Sequence, residues 1–190
     1  MEVQLQPFTT ATGRTMNWVA GVATPRQYHL RAGHDRFATM IWPSAQDSLA
    51  YAETAAGGWL LTCKHGQVRA LASARRATLG RFEFGWDGGI FYLPNGETFH
   101  WGYNAALGRS EWVENGPIMR ATFDMRPDGP GGQVTLAAGA ASISALPLLI
   151  AVDRYLMHSL VNKYLTERQP AGVITYAPRQ PARAQSSVAV

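Results

Sequence analysis

Ala137-Ala-Gly-Ala-Ala-Ser-Ile-Ser-Ala-Leu-Pro-Leu-Leu-Ile-Ala-Val-Asp-Arg-Tyr-Leu-Met-His-Ser-Leu-Val-Asn-Lys-Tyr-Leu165 is the one long stretch of this chain that reads as a helix. Leu146, Leu149, Ile150, Leu156, Met157, Leu160 and Tyr164 keep the i, i+3, i+4 spacing of a helical face. Ser142 or Ser144 can cap the start, and Pro147 suits a first turn, where its missing N–H is no loss. The helix is expected from about Ser144 to Thr166. Its first half is apolar almost all round, which marks a helix enclosed by protein rather than one lying on a surface. The uncharged run from Ala137 to Val152 ends at Asp153-Arg154 and is shorter than the roughly 20 residues needed to cross a bilayer. A buried core helix therefore fits better than a transmembrane span.

Everything before that stretch reads as short strands. Apolar or alternating runs at Met16–Val22, Gln27–Arg31, Phe37–Trp42, Leu49–Glu53, Trp59–Lys64, Gln67–Ser73 and Ala77–Trp86 recur about every ten residues, with Gly, Pro, Asn or Asp between them. A first strand is expected around Val3–Gln6. In Gln27–Arg31, Tyr28 and Leu30 share one face and His29 takes the other. Ile90 to Trp101 reads as a β-hairpin: Asn95-Gly96 suits a type I′ turn, and Pro94 beside it leaves a longer loop as the alternative. Ser110–Val113, Ile118–Asp124 and Val134–Ala138 complete about twelve strands.

A helix that is apolar round most of its surface needs walls on every side. Twelve antiparallel strands could form two sheets, but closure removes exposed edges and makes a wall around an axis. A ring of that size is too wide for side chains alone to fill, and a central helix fills it. The expected fold is mainly β: a closed antiparallel barrel of about twelve strands around a buried C-terminal helix. The barrel domain would occupy 1–167, with the Pro- and Arg-containing segment 168–190 as a mobile tail.

Length and composition agree with this. A chain of 190 residues is one domain with a real core. Its net charge of +4 comes nearly all from arginine, which suits phosphate and carboxylate recognition through its planar fork. Cys63 is the only cysteine, so no intrachain disulfide can form, and with five histidines no zinc-ribbon or finger spacing exists. A reducing, cytoplasmic location is expected, and the N-terminus shows no secretory pattern.

Phe99-His100-Trp101, Met119 to Asp124 and Leu146 to Leu156 together resemble the final strands and core helix of the tubby C-terminal, phospholipid scramblase and LURP-one-related superfamily. The resemblance covers about residues 15–165 and is a pattern of elements more than of motifs. It implies a barrel often associated with membrane lipids and usually not a catalyst. No functional residue carries over.

Candidate chemistry is sparse. Cys63 and His65 would share a strand face, the arrangement of a nucleophile and its base, but a free cysteine beside a turn histidine is the commoner case. His29, His34, His100 and His158 lack metal-ligand spacing, so no metal is expected, and no cofactor either. Gly85-Trp86-Asp87-Gly88-Gly89 lacks the Gly-Lys-Ser/Thr ending of a phosphate loop. Asp153 must be paired or hydrogen-bonded, or else neutral, if it lies in the core; either an arginine such as Arg120 meets it or it sits near the barrel mouth.

The strongest lead is basic. Between Glu53 and Glu83 no acidic residue occurs, yet Lys64, Arg69, Arg75, Arg76 and Arg81 do. Such a cluster attracts phosphates of lipid head groups or nucleic acid, unless it is only a solvated barrel edge. Aromatics are not interleaved with these arginines, so no nucleic-acid partner is expected. The function expected is non-enzymatic, peripheral binding of anionic membrane lipids through Lys64, Arg69, Arg75, Arg76 and Arg81. The alternative is an enzyme or small-ligand binder with a pocket at the barrel mouth.

Overall fold

The computed structural model describes residues 4–22, 26–43, 48–74, 77–85, 88–123 and 131–168, the side chains of Ala105 and of 161–168 excepted. Twelve strands follow one another as β1 (Thr15–Ala20), β2 (Gln27–Ala32), β3 (Asp35–Ile41), β4 (Leu49–Thr54), β5 (Gly57–Lys64), β6 (Gln67–Ala72), β7 (Thr78–Phe84), β8 (Gly88–Tyr92), β9 (Thr98–Asn104), β10 (Arg109–Val113), β11 (Pro117–Phe123) and β12 (Gly132–Leu136). Each pairs antiparallel with the next, and β1 pairs antiparallel with β12, so the sheet closes. An even number of strands is what lets an up-and-down meander close without a parallel seam. α1 (Leu146–Arg168) is the one long helix among the described residues.

The turns follow from local chemistry. His65 and Gly66 both have positive φ (51° and 73°) between Lys64 and its partner Gln67, as a type I′ hairpin turn requires. Asn95-Gly96 takes the longer-loop alternative instead. Only Gly96 has positive φ there, Gly96 N–H donates to Leu93 O (3.1 Å) and Leu93 N–H to Glu97 O (2.9 Å). Pro94, with its fixed φ, occupies the second position of that turn and decides the matter. The expected N-terminal strand is absent from its described part: Gln4–Gln6 is irregular, and Gln6 N–H donates to Arg36 O (2.7 Å). Val3 lies outside the described residues, as does the segment 169–190.

Alternate strand residues point inward and are buried. Met16 and Trp18, Val68 and Ala70, Phe99 and Trp101, and Ser110 and Trp112 show the period of two. Small residues set the wall's inner contour. A Cβ on Gly80 would run into the ring of the fully buried Phe91, so β7 needs glycine there.

The helix occupies the axis. Leu148–Met157 is buried at every position, all round, and α1 touches β4 and β5 on one side and β10 on the opposite side of the ring. The twelve residues from Leu146 to Met157 are about 18 Å long at ~1.5 Å per residue, which matches the height of a tilted ring of six-residue strands. The helix enters at what we term the head of the barrel, where β12 ends and the β2–β3, β4–β5 and β10–β11 connections lie. Two short 3-10 turns, Phe8–Ala11 and Ala140–Ser142, meet there and bury Phe8, Ala11 and Ala140. It leaves at the foot, where the His158 ring packs 4.2 Å from that of Trp42, just beyond β3. Among the described residues no helix is long and apolar enough to cross a membrane. The wall itself carries charge outward, at Glu53, Arg69, Arg81, Glu111 and Arg120 among others, the reverse of the apolar outer band of a membrane-spanning barrel.

Candidate functional site

Arg69 and Arg81 are brought together as directly opposed residues of β6 and β7, both exposed on the outer wall. Like charges so placed repel, and the neighbouring pair answers this: Gln67 and Glu83 are also directly opposed. Arg81 Nη1 donates to Glu83 Oε1 (2.9 Å), Gln67 Nε2 donates to the same oxygen (3.3 Å), and Arg69 Nε donates to Gln67 Oε1 (3.0 Å). The Arg81 guanidinium also lies 4.8 Å from the centroid of Tyr92. Glu83, which closes the acid-free stretch of sequence, is thus folded back into the middle of the basic cluster.

Lys64 borders this group, directly opposite Gln67. It ends β5 beside the turn at the foot, whereas Ala72 and Ala77, which flank Arg75 and Arg76, hydrogen-bond at the head (2.8 Å). Arg75 and Arg76 themselves lie outside the described residues.

Among the described residues the foot has a composition of its own. Val22, Phe84 and Leu107, three of the five exposed large hydrophobic residues described, sit in connections or strand ends at the foot. Exposed Arg26, Lys64 and Arg109 lie at the same end. Arg26 has positive φ (61°) and accepts a hydrogen bond from Trp42 N–H through its carbonyl (3.1 Å).

The nucleophile reading of Cys63 finds no support. Burial raises its thiol pKa, the opposite of activation. His65 lies in the left-handed turn rather than two residues along a continuous strand. Gly88 and Gly89 lie within β8, and Gly85 N–H donates to Gly88 O (2.9 Å), a turn between strands. Among the described residues no three His, Cys, Asp or Glu side chains gather as a metal site. The groove at the head, about 240 Å³, is lined by apolar and small residues including Phe8, Ala56, Ile143 and Leu146.

Asp153 is fully buried and is held by neutral donors. Trp101 Nε1 (2.8 Å) and Ser110 Oγ (2.7 Å) both donate to its Oδ1, while Oδ2 has no hydrogen-bond partner. Burial pushes its pKa up to about 6 against the pull of Ser110, Trp101, Trp112 and Arg154. Trp112 acts from nearby without good hydrogen-bond geometry. Neither of the two surroundings expected for Asp153 is found: Arg120 is on the outer wall with Glu111 (3.2 Å), and Asp153 is not in water. Arg154 is buried among rings, 4.6 Å from the centroid of Tyr28, 5.6 Å from Trp18 and 5.8 Å from Phe123. Burial lowers its pKa to about 10, so it stays charged. Neither group lines any of the described grooves, and their geometry is structural.

One basic cluster escapes a reading of charge runs. Arg31 of β2 and Arg36 of β3 are directly opposed, with His29 two residues along on the same outward face. The signal is there in the sequence: a two-residue turn at Gly33-His34 pairs residue 32 with 35 and therefore 31 with 36. Comparison with family models, with curated proteins and with solved structures finds no match to this chain.

Proposed function

We propose that this chain is a non-catalytic barrel of the tubby and scramblase kind that docks peripherally on anionic lipid surfaces through its foot. The observation that carries this is the pairing of exposed apolar side chains, Val22, Phe84 and Leu107, with exposed cations, Arg26, Lys64 and Arg109, at one end. An interfacial lipid contact needs both: apolar groups to enter the head-group region and cations to meet phosphates. The axis is filled by α1, which takes up the space that a substrate inside the barrel would need.

Magnitudes decide which arginines take part. Each cation close to an anionic surface contributes about 1 kcal/mol and fades over a Debye length of about 8–10 Å. The two ends of β6 are separated by roughly 17 Å at ~3.3 Å per residue. A rigid barrel therefore cannot bring both ends of β6 to one flat surface at full strength. Lys64 is the contact, and Arg69 and Arg81 on the wall add long-range attraction.

Co-sedimentation with neutral and with phosphatidylserine-containing vesicles, at low and physiological salt, tests this. The protein is expected to pellet with anionic vesicles only, and less at higher salt. Lys64→Glu should weaken binding by about tenfold or more, as reversing a charge worth about 1 kcal/mol implies. Phe84→Ser/Leu107→Ser should weaken it further. Equal pelleting with neutral vesicles, or full binding by Lys64→Glu, would defeat the proposal.

A further inference from the structure

On the opposite half of the barrel, near the head, the outer wall carries a cationic pair with no acid to neutralise it among the described residues. Arg31 and Arg36 face each other across β2 and β3, where a register shift between Leu30 and Arg31 bends the ladder. Both are half-buried, and the Nε–H of each is enclosed without a hydrogen-bond partner. Neither forms an ion pair among the described residues. The nearest carboxylate in sequence, Asp35, is taken by Arg14, whose Nη1 donates to Asp35 Oδ2 at 2.7 Å.

His29 adds a third group. It faces outward yet is buried, and its Nδ1 lies 3.2 Å from Thr39 Oγ1. Its pKa is lowered by burial, then by Arg36 and Arg31. The groups around it are Val19 on β1, Arg31 on its own strand, Thr39 and Arg36 on β3, with Glu53 opposite Thr39 on β4. Asn17 stands opposite Arg31 on β1 and supplies an amide beside the pair.

We infer that Arg31 and Arg36, with His29 and Asn17 beside them, bind a small oxyanion of the phosphate monoester class. Two guanidinium forks side by side match the tetrahedral oxygens of a phosphate. An anion between them removes the repulsion. The site faces sideways near the head, away from the proposed lipid contact, so the ligand is a free molecule rather than a lipid head group. It is independent of docking at the foot.

The test uses the full chain with inorganic phosphate against chloride at equal ionic strength. The His29 ring is followed by NMR across pH, and the melting temperature in parallel. Millimolar phosphate is expected to raise both the His29 pKa and the melting temperature. Arg31→Met and Arg36→Met should each weaken the phosphate response at least about tenfold, as loss of a charge-assisted pair implies. Arg69→Met, in the cluster that already contains a carboxylate, should keep it. Vesicles carrying a phosphorylated inositol head group should not reproduce the His29 shift. No response to phosphate, an equal response to chloride, a response kept in Arg31→Met, or a response to vesicles alone would each overturn the inference.

Discussion

The axis of this barrel and its wall both hold charge, and they hold it in opposite ways. On the axis, Asp153 is met by an indole N–H and a hydroxyl, and Arg154 by the faces of three aromatic rings. On the wall, Arg81 is met by Glu83, while Arg31 and Arg36 are met by no acid among the described residues. Without water, a charge must be solvated by its neighbours or change its protonation state. With water, repulsion is screened, and an opposed pair of cations is tolerated. Where a charge sits, not how many there are, decides how it is held.

Adding a charge to the axis with nothing arranged for it breaks the comparison most severely. Leu149 is fully buried four residues before Asp153, so Leu149→Asp places an unsolvated carboxylate in the core. The expected loss exceeds about 4 kcal/mol, a large part of the stability of a typical domain. Soluble expression and a thermal melt check it. A near-native melt would show that the helix is not the core.

The next effect is the pH dependence of Asp153 itself. Its folded pKa is about 6, raised from 3.8, so the folded state takes up this proton more readily than the unfolded one. The contribution to stability is full below about pH 4 and is lost as pH rises through 6. At ~1.36 kcal/mol per pKa unit, it amounts to about 3 kcal/mol. Asp153→Asn keeps an acceptor for Trp101 and Ser110 and cannot ionise. Denaturant unfolding of both proteins from pH 4 to 8 should show the variant gaining on the wild type as pH rises. A constant difference across that range would contradict the assignment.

That same contrast explains what is legible in the chain. The inward face is written in hydrophobic period, so strand number, closure and the central helix follow from residues such as Phe99, Trp101, Leu149 and Ile150. Asp153 stands out in the sequence as a problem, but its answer does not, because Trp101 and Ser110 are 52 and 43 positions away. The wall is harder. Counting charges between Glu53 and Glu83 takes no account of an antiparallel meander, which sends the two ends of β6 in opposite directions. The register shift between Ala70 and Leu71 hides the Arg69–Arg81 and Gln67–Glu83 pairings from the sequence. The Arg31–Arg36 pairing is readable from the tight turn at Gly33-His34, and a search for charge runs passes over it because only two cations stand there.

The smallest effect sharpens the comparison within the wall. In phosphate-free buffer at low salt, Arg31→Met removes one of two opposed cations that have no described acid beside them. Methionine retains most of the apolar stem that covers neighbouring surface. Relief of a directly opposed like-charge pair is worth roughly 0.2–1 kcal/mol, so this variant should be slightly more stable than the wild type. Arg69→Met removes a cation from a cluster where Glu83 already offsets Arg81, and there the change should be close to zero. Salt distinguishes electrostatics from packing: at 1 M the Debye length falls to about 3 Å, and the gain at Arg31 should shrink. Phosphate should reverse its sign, because only the wild type would then be stabilised by a bound anion. Urea unfolding of the three proteins under the three conditions reads all of this. A salt-independent loss in Arg31→Met would mean that this arginine is held by packing alone, and the two clusters on the wall would then not differ in kind.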